Sequence, residues 1–205
     1  MIDAPPPTAA LVEQLGSADF NARALALAEL VRRGRATAPA LSLALDSRDP
    51  GVRLQALRGL AEIADPASAG SFARFLDASD ERMRAFAAQG LSRIGDPRAL
   101  SALARAIDDY PDELHHLYTP AVLELIASGP AALPAVAPLL AAPNPPTRAR
   151  ALLVVRRIVE ANPRLGTWEA LAARLGPIDP SAPPPISASA AVDPATGEAR
   201  FDILK

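Results

Sequence analysis

The strongest constraint on the fold is a pair of residues that returns along the chain at a nearly constant spacing. An acidic or amide residue is followed four positions later by a base at five places: Asp19/Arg23, Asp49/Arg53, Asp80/Arg84, Asp112/His116 and Asn144/Arg148. The basic members are 30, 31, 32 and 32 residues apart. A fixed period of this length is typical of stacked repeats, each of which buries its apolar face against its neighbours. The chain is therefore predicted to be a solenoid.

Two columns of apolar residues keep the same period. The first lies seven residues after each base and reads Leu30, Leu60, Leu91, Leu123 and Val155. The second reads Leu15, Leu45, Leu76, Ile107, Leu140 and Leu175. Apolar spacings of three and four within each repeat predict two helices, with the acid of each pair as the N-cap of the first. We predict an all-α, right-handed α-solenoid of about five helical hairpins, preceded by a lone helix.

The third repeat carries a resemblance to a known family. From Asp80 it reads Asp-x-x-Met-Arg-x-x-Ala-x-x-x-Leu-x-x-Ile-Gly-Asp-Pro-Arg-Ala-Leu. This resembles the short HEAT-like repeat, the E-Z or PBS-lyase type, of bilin lyases and many other bacterial proteins. The resemblance covers residues 8–175. It implies that the Asp/Arg columns form structural ladders between repeats and that the second helices line a concave binding face.

The chain is predicted to have three parts: a disordered Pro-rich start over 1–7, the solenoid over 8–175, and a Pro-rich linker and tail over 176–205. In the tail, alternating residues over 186–192 and 198–204 flank a Pro- and Gly-containing turn, which predicts a β-hairpin. An isolated hairpin is marginally stable. It could fold back on the helices, pair with a partner's sheet through Phe201 and Ile203, or stay disordered until bound. We expect disorder in the free protein.

The charge distribution argues against nonspecific nucleic-acid binding. Residues 1–175 hold 19 arginines and 19 acids, and a neutral chain neutralises few phosphates. The sequence has no cysteine, which excludes disulfides and thiolate metal sites. The uncharged run over 125–147 contains six prolines, so it does not predict a spanning helix. The N-terminus has no basic segment followed by an apolar one, and we expect a cytoplasmic protein.

Few residues suggest a catalytic, phosphate-binding or metal-binding role. No nucleophile elbow, phosphate-binding glycine loop or zincin helix is present, so an enzyme is the weaker interpretation and no cofactor is predicted. The segment from Asp108 to His116 combines carboxylates with both histidines. Adjacent histidines diverge by about 100° on a helix, and acids at a helix start suit the macrodipole, so we prefer a structural role to a metal site. For the arginines over 32–35 a solvated turn is preferred to a phosphate-binding patch.

Three local features of the sequence are interpreted structurally. Gly59 and Gly90 lie mid-helix at equivalent positions, where glycine is costly, and indicate a close approach of helices. Pro120 interrupts the predicted first helix of repeat four. The single tryptophan, Trp168, is expected to seal the end of the stack.

The predicted concave face supplies the partner-binding candidates Arg74, Asp77, Arg105 and Asp108, with Phe201 and Ile203 from the tail. A solvated face with internal ion pairs is an equal alternative for the four charged residues. The sequence therefore favours a noncatalytic scaffold that binds another protein through the concave face and the tail. A bilin-lyase-like subunit that handles a tetrapyrrole and its acceptor protein is the alternative, and a HEAT-like nucleic-acid binder is third.

Overall fold

The structure is a computed structural model that describes residues 5–110 and 117–167 and the backbone of 188–192 and 199–203. The chain forms two compact units, Met1–Ala99 and Leu100–Lys205. Within the described residues there are a lone first helix, four helical pairs and the first helix of a fifth pair. The predicted all-α, solenoid class of fold is confirmed. Trp168, predicted to seal the end of the stack, and Leu175, the last member of the second apolar column, lie outside the described residues.

Unit 1 alternates long first helices with short second ones. Its helices are α1 (Thr8–Gln14), α2 (Phe20–Arg33), α3 (Ala38–Ala44), α4 (Pro50–Ile63), α5 (Ala69–Ala73) and α6 (Glu81–Arg93). The first helices pack in series, α2 on α4 and α4 on α6, and α1 packs on α2 and α3. As predicted, α1 is a lone helix that precedes the first helical pair.

Carboxylates begin the first helices at the predicted positions. Asp19, Asp49 and Asp80 have extended backbone, and each accepts a hydrogen bond from the amide two residues later at 2.7–2.9 Å. These bonds satisfy amides that have no partner within the helix. The acid of each pair is therefore an N-cap, and the helix begins at the next residue.

The first apolar column forms the core of unit 1, whereas the second is incomplete. Leu30, Leu60 and Leu91 are fully buried. In repeat two, Leu76 is only half-buried, and Phe72 is the fully buried residue instead. Because α5 ends at Ala73, Leu76 lies beyond the helix in the following turn, and the prediction for that position is wrong.

Gly90 makes room for Phe72. A Cβ atom on Gly90 would lie 2.3 Å from Phe72 Cε1, closer than real Cβ contacts. At Gly59 the nearest atom, Leu27 Cδ1, would be 3.0 Å away. The structure thus explains both glycines by the close approach of neighbouring helices.

Unit 2 contains the remaining helices and departs from the regular repeat. They are α7 (Ala99–Arg105), which begins at the last residue of unit 1, then α8 (Pro120–Ala127), α9 (Leu133–Val136) and α10 (Pro145–Ala161). Short 3-10 helices flank α9 at Gly129–Ala132 and Ala137–Ala141. None of the helices in the described part of the chain is both long and apolar enough to span a bilayer.

Pro120 begins helix α8 and does not interrupt a helix, which corrects the prediction. Proline is tolerated at the first helical position because that position needs no intrahelical amide. Thr119 caps α8, accepting from the Val122 amide at 3.1 Å and donating to the Ile107 carbonyl at 2.9 Å. In the helix that begins at Pro120, Val122 is buried and Leu123 is 55% exposed. The assignment of Leu123 to the buried column was therefore wrong.

The C-terminal hairpin is present in the structure. β1 (Ala188–Val192) pairs antiparallel with β2 (Ala199–Ile203), with Ala188 opposite Ile203. The backbone of β1 lies against α9 and the 3-10 helix Ala137–Ala141. Of the three arrangements that the sequence left open, the structure has the folded-back hairpin and not the disordered tail that we expected. Contact with the helices compensates for the marginal stability of an isolated hairpin.

Candidate partner-binding faces

The repeated arginines bind backbone carbonyls at the junctions between repeats. Nη1 of each contacts the carbonyls five and six residues earlier, at 2.6–3.1 Å. The arginines are Arg23, Arg53, Arg84 and Arg148. Each guanidinium thus ties its helix to the loop that precedes it. These contacts give the arginine column a structural role, while Asp112 and His116 lie outside the described residues.

The fifth helical pair has the repeated arginine, Arg148, but its first helix lacks a side-chain N-cap. Asn144 has the extended backbone of an N-cap, but its side chain makes no capping hydrogen bond. The next two residues, Pro145 and Pro146, have no amide hydrogen to donate. Arg148 is only 5% exposed, and its bonds to the carbonyls of Ala142 and Pro143 hold the Pro-rich loop instead.

Arg32 and Arg33 of repeat one form hydrogen bonds within the molecule. Glu29 accepts from Arg32 at 2.7 Å and from Arg33 at 2.8 Å, and these bonds lower the pKa of the Glu29 carboxyl to about 2. Arg33 also donates to the Pro6 carbonyl at 2.7 Å, which ties the N-terminal segment to α2. Internal partners of this kind favour the structural interpretation over a phosphate-binding patch.

On unit 1, the surface formed by the second helices, here called the second-helix face, carries an exposed ion pair. Arg74 Nη2 lies 2.6 Å from Asp46 Oδ1, and the Arg74 guanidinium lies 5.6 Å from the centre of the Phe75 ring. Leu43, on the same face, is 76% exposed. Asp77 is exposed as well. The pair between Arg74 and Asp46 is the internal arrangement that the sequence left open as an alternative to partner binding.

Asp108 has a structural role in unit 2. Its carboxylate accepts hydrogen bonds from the Arg150 guanidinium and the Thr147 hydroxyl, both on α10. Arg150 and Thr147 are buried. Because a buried guanidinium needs an anionic partner, Asp108 is committed to the packing of α10. The structure thus gives Asp108 a packing role, and its place among the partner-binding candidates stays a prediction.

An open groove lies on the second-helix face of unit 2, between α7 and the segment around α9. Its volume is about 280 Å³. Its lining consists of Ser101, Ala104, Arg105, Pro134, Ala135, Pro138 and Leu139. Sequence reasoning identified Arg105 and the irregular prolines separately, but it did not predict that they would enclose one groove.

Two other predicted features are incompletely described. Asp112 and both histidines of the candidate metal cluster lie outside the described residues, as do the side chains of Phe201 and Ile203. Among the described residues, no group of three or more histidines and acids could hold a metal ion.

Comparison with known proteins supports the repeat assignment. Residues 37–116 match the model of the HEAT-repeat family. The predicted HEAT-like repeats are thereby confirmed, and the search of curated proteins returns no match.

Three solved structures match this chain. One is the complex of CpcE and CpcF of phycocyanin lyase from Nostoc sp. PCC7120, at 20% identity and a TM-score of 0.51, covering 78% of this chain and 68% of that chain. An engineered protein has 19% identity, a TM-score of 0.46 and coverages of 76% and 81%. A designed armadillo repeat protein has 18% identity, a TM-score of 0.40 and coverages of 85% and 95%. At this identity the first likeness establishes the fold.

Proposed function

We propose that this chain is a noncatalytic scaffold that binds another protein through its second-helix faces. The observation that carries the proposal is the open groove of unit 2. Pro134 and Pro138 are exposed there although the core is complete beneath them, since Leu133 and Val136 are fully buried. Packing within the stack does not account for such a surface, whereas a partner would bury it.

The shape of the groove and the pairing of nearby arginines favour a protein as the partner over a tetrapyrrole or a nucleic acid. The groove of about 280 Å³ is open, whereas sites for a small molecule or cofactor are concave and bury most of the ligand. Nucleic-acid binding needs a net positive surface. Arg32 and Arg33 are instead paired with Glu29, and Arg74 is paired with Asp46.

Affinity capture from the source cell tests the proposal. The test variant combines Leu43→Asp in unit 1 with Arg105→Glu in unit 2, two exposed positions on second helices. The matched control combines Leu123→Asp, exposed on first helix α8, with Arg48→Glu, exposed in a loop. We expect the test variant to lose the captured protein and the control to retain it. Equal capture by both variants would contradict the proposal.

Two further measurements separate the alternatives on the same samples. A bilin-handling subunit would change the visible absorbance of an added bilin, and Arg105→Glu would reduce the change. A nucleic-acid binder would retain DNA with a steep dependence on salt concentration. We expect neither response, and circular dichroism checks that each variant keeps the helical signal of the wild type.

A further inference from the structure

We propose that the C-terminal hairpin pairs with the hairpin of a second copy of this chain, β2 against β2 in antiparallel orientation. The contact joins the two hairpins into one four-stranded sheet. This inference is independent of the groove of unit 2 and of the proposed function. It is drawn from the order of the strands, from the register of the hairpin and from the charge pattern of β2.

Strand β2 is an edge of its sheet. The sheet of the described residues has two strands, so the ladder between β1 and β2 uses only one edge of each strand. The backbone of β1 lies against α9 and the 3-10 helix Ala137–Ala141. An edge strand presents backbone N–H and C=O groups that can pair with a strand of another chain. The hairpin therefore offers β2 as a template for a further strand.

The sequence of β2 is complementary to itself. Two identical antiparallel strands pair symmetrically about one residue, and the register centred on Phe201 is the one in which all five residues of β2 have a partner. It brings Arg200 opposite Asp202 of the second copy and Ala199 opposite Ile203 of the second copy. Phe201 lies opposite the same residue of the second copy. Aromatic pairs and pairs of opposite charge are among the cross-strand combinations that stabilise a sheet.

The charge pattern selects a second copy over an unrelated strand. Within the hairpin, Arg200 lies opposite Ala191 and Asp202 lies opposite Ser189, so the β1 residues across from the two charges are uncharged. Charged residues on an edge strand usually discourage pairing with other chains. In the register centred on Phe201 each of them is opposite a residue of the other sign. The same two residues thus favour self-pairing and oppose strands that lack the matching pattern.

The oligomeric state of the full-length protein tests the proposal. Pairing of two short strands buries little surface, so we expect a weak dimer that forms between about 10 µM and about 1 mM in sedimentation equilibrium. Over the same range of concentration, the backbone amides of β2 should exchange more slowly with deuterium. Exchange from the helices of unit 1 should not change. A monomer throughout the range would overturn the inference.

Charge exchange tests the register. Arg200→Asp and Asp202→Arg each place like charges opposite one another in a homodimer and should raise its dissociation constant about tenfold or more. An equimolar mixture of the two variants restores both pairs of opposite charge and should dimerise like the wild type. The double variant that carries both substitutions should do so too. Arg48→Asp makes the same charge change in an exposed loop of unit 1 and is the matched control, which should dimerise normally.

The remaining outcomes each contradict one part of the inference. If both single variants dimerise as strongly as the wild type, another surface joins the copies and the inference fails. If the single variants stay monomeric when they are mixed, the register fails, and with it the second copy as the partner of β2. Circular dichroism and thermal unfolding first check that each variant keeps the fold of the wild type. None of these results depends on the capture of another protein by the second-helix faces.

Discussion

The first helices of repeats one to three differ from the first helix of repeat four in length, start and cap. The first helices of the regular repeats have 14, 14 and 13 residues and begin after an aspartate cap. In repeat four the first helix has 8 residues, begins at Pro120 and is capped by Thr119. The comparison teaches that the column of buried residues follows the start of each helix and not the spacing along the chain.

The second-helix faces differ in the same way. On unit 1 the face carries Arg74 paired with Asp46 beside exposed Leu43, and on unit 2 it carries the apolar groove with Arg105 at its edge. Exposed ion pairs contribute little to stability. The described face of unit 1 thus carries an internal ion pair, whereas the groove of unit 2 is lined mostly by apolar side chains.

The largest expected effect distinguishes two leucines of the same sequence column. Leu91→Ala should lower the free energy of unfolding by about 2–5 kcal/mol because the side chain is fully buried. Leu123→Ala should change it by about 0.5 kcal/mol or less because Leu123 is 55% exposed. Chemical denaturation of both variants measures the difference. Similar losses would mean that repeat four keeps the regular register.

Gly90→Ala tests the close approach in the regular repeats. The new methyl group would collide with the Phe72 ring, and overpacking of this kind costs about 1–3 kcal/mol. Gly70→Ala is the control, because no atom lies within 4 Å of its added Cβ and alanine is the better helix former. Thermal unfolding should show a loss for Gly90→Ala that Phe72→Leu partly restores. Without that restoration the collision is not the cause.

Arg53→Ala measures how much the hydrogen bonds between a repeated arginine and the preceding loop contribute to the free energy of unfolding. It removes two hydrogen bonds from a guanidinium to the carbonyls of Ser47 and Arg48, and we expect a loss of about 1.5 kcal/mol. Arg58→Ala, which removes an exposed pair with Glu62 on the same helix, should cost about 0.5 kcal/mol or less. Denaturant midpoints compare the two variants. A larger effect of Arg58→Ala would show that the carbonyl contacts do not hold the junction.

The smallest expected effect concerns the pKa of Asp96 and the pH dependence of stability. Hydrogen bonds from Arg98 lower the pKa of the Asp96 carboxyl from 3.8 to about 2. A depressed folded-state pKa stabilises the protein above pH 4, and this contribution disappears as the pH falls from about 4 to about 2. Arg98→Ala should return the pKa towards 3.8, as followed by NMR titration of the carboxyl carbon, whereas Arg82→Ala, which removes the partner of Asp80, should leave Asp96 unchanged.

The sequence by itself determined the helical repeats, their caps and the two mid-helix glycines. Each depends on contacts that recur at a fixed spacing: an aspartate caps an amide two residues later, and an arginine holds carbonyls five and six residues earlier. Local contacts of this kind leave a pattern in the order of residues. The same pattern placed Arg105 on the second-helix face, where the structure finds it exposed.

Only the tertiary structure decided the register of repeat four, the role of Asp108 and the existence of the groove. Thr119 binds the carbonyl of Ile107, and Asp108 binds Arg150 across 42 positions of the chain. These separations of 12 and 42 residues do not match the repeat period, so the period does not reveal them. The groove forms because helix packing brings Arg105 beside Pro134 and Pro138, and such a meeting of distant residues is fixed by the burial of the residues beneath them.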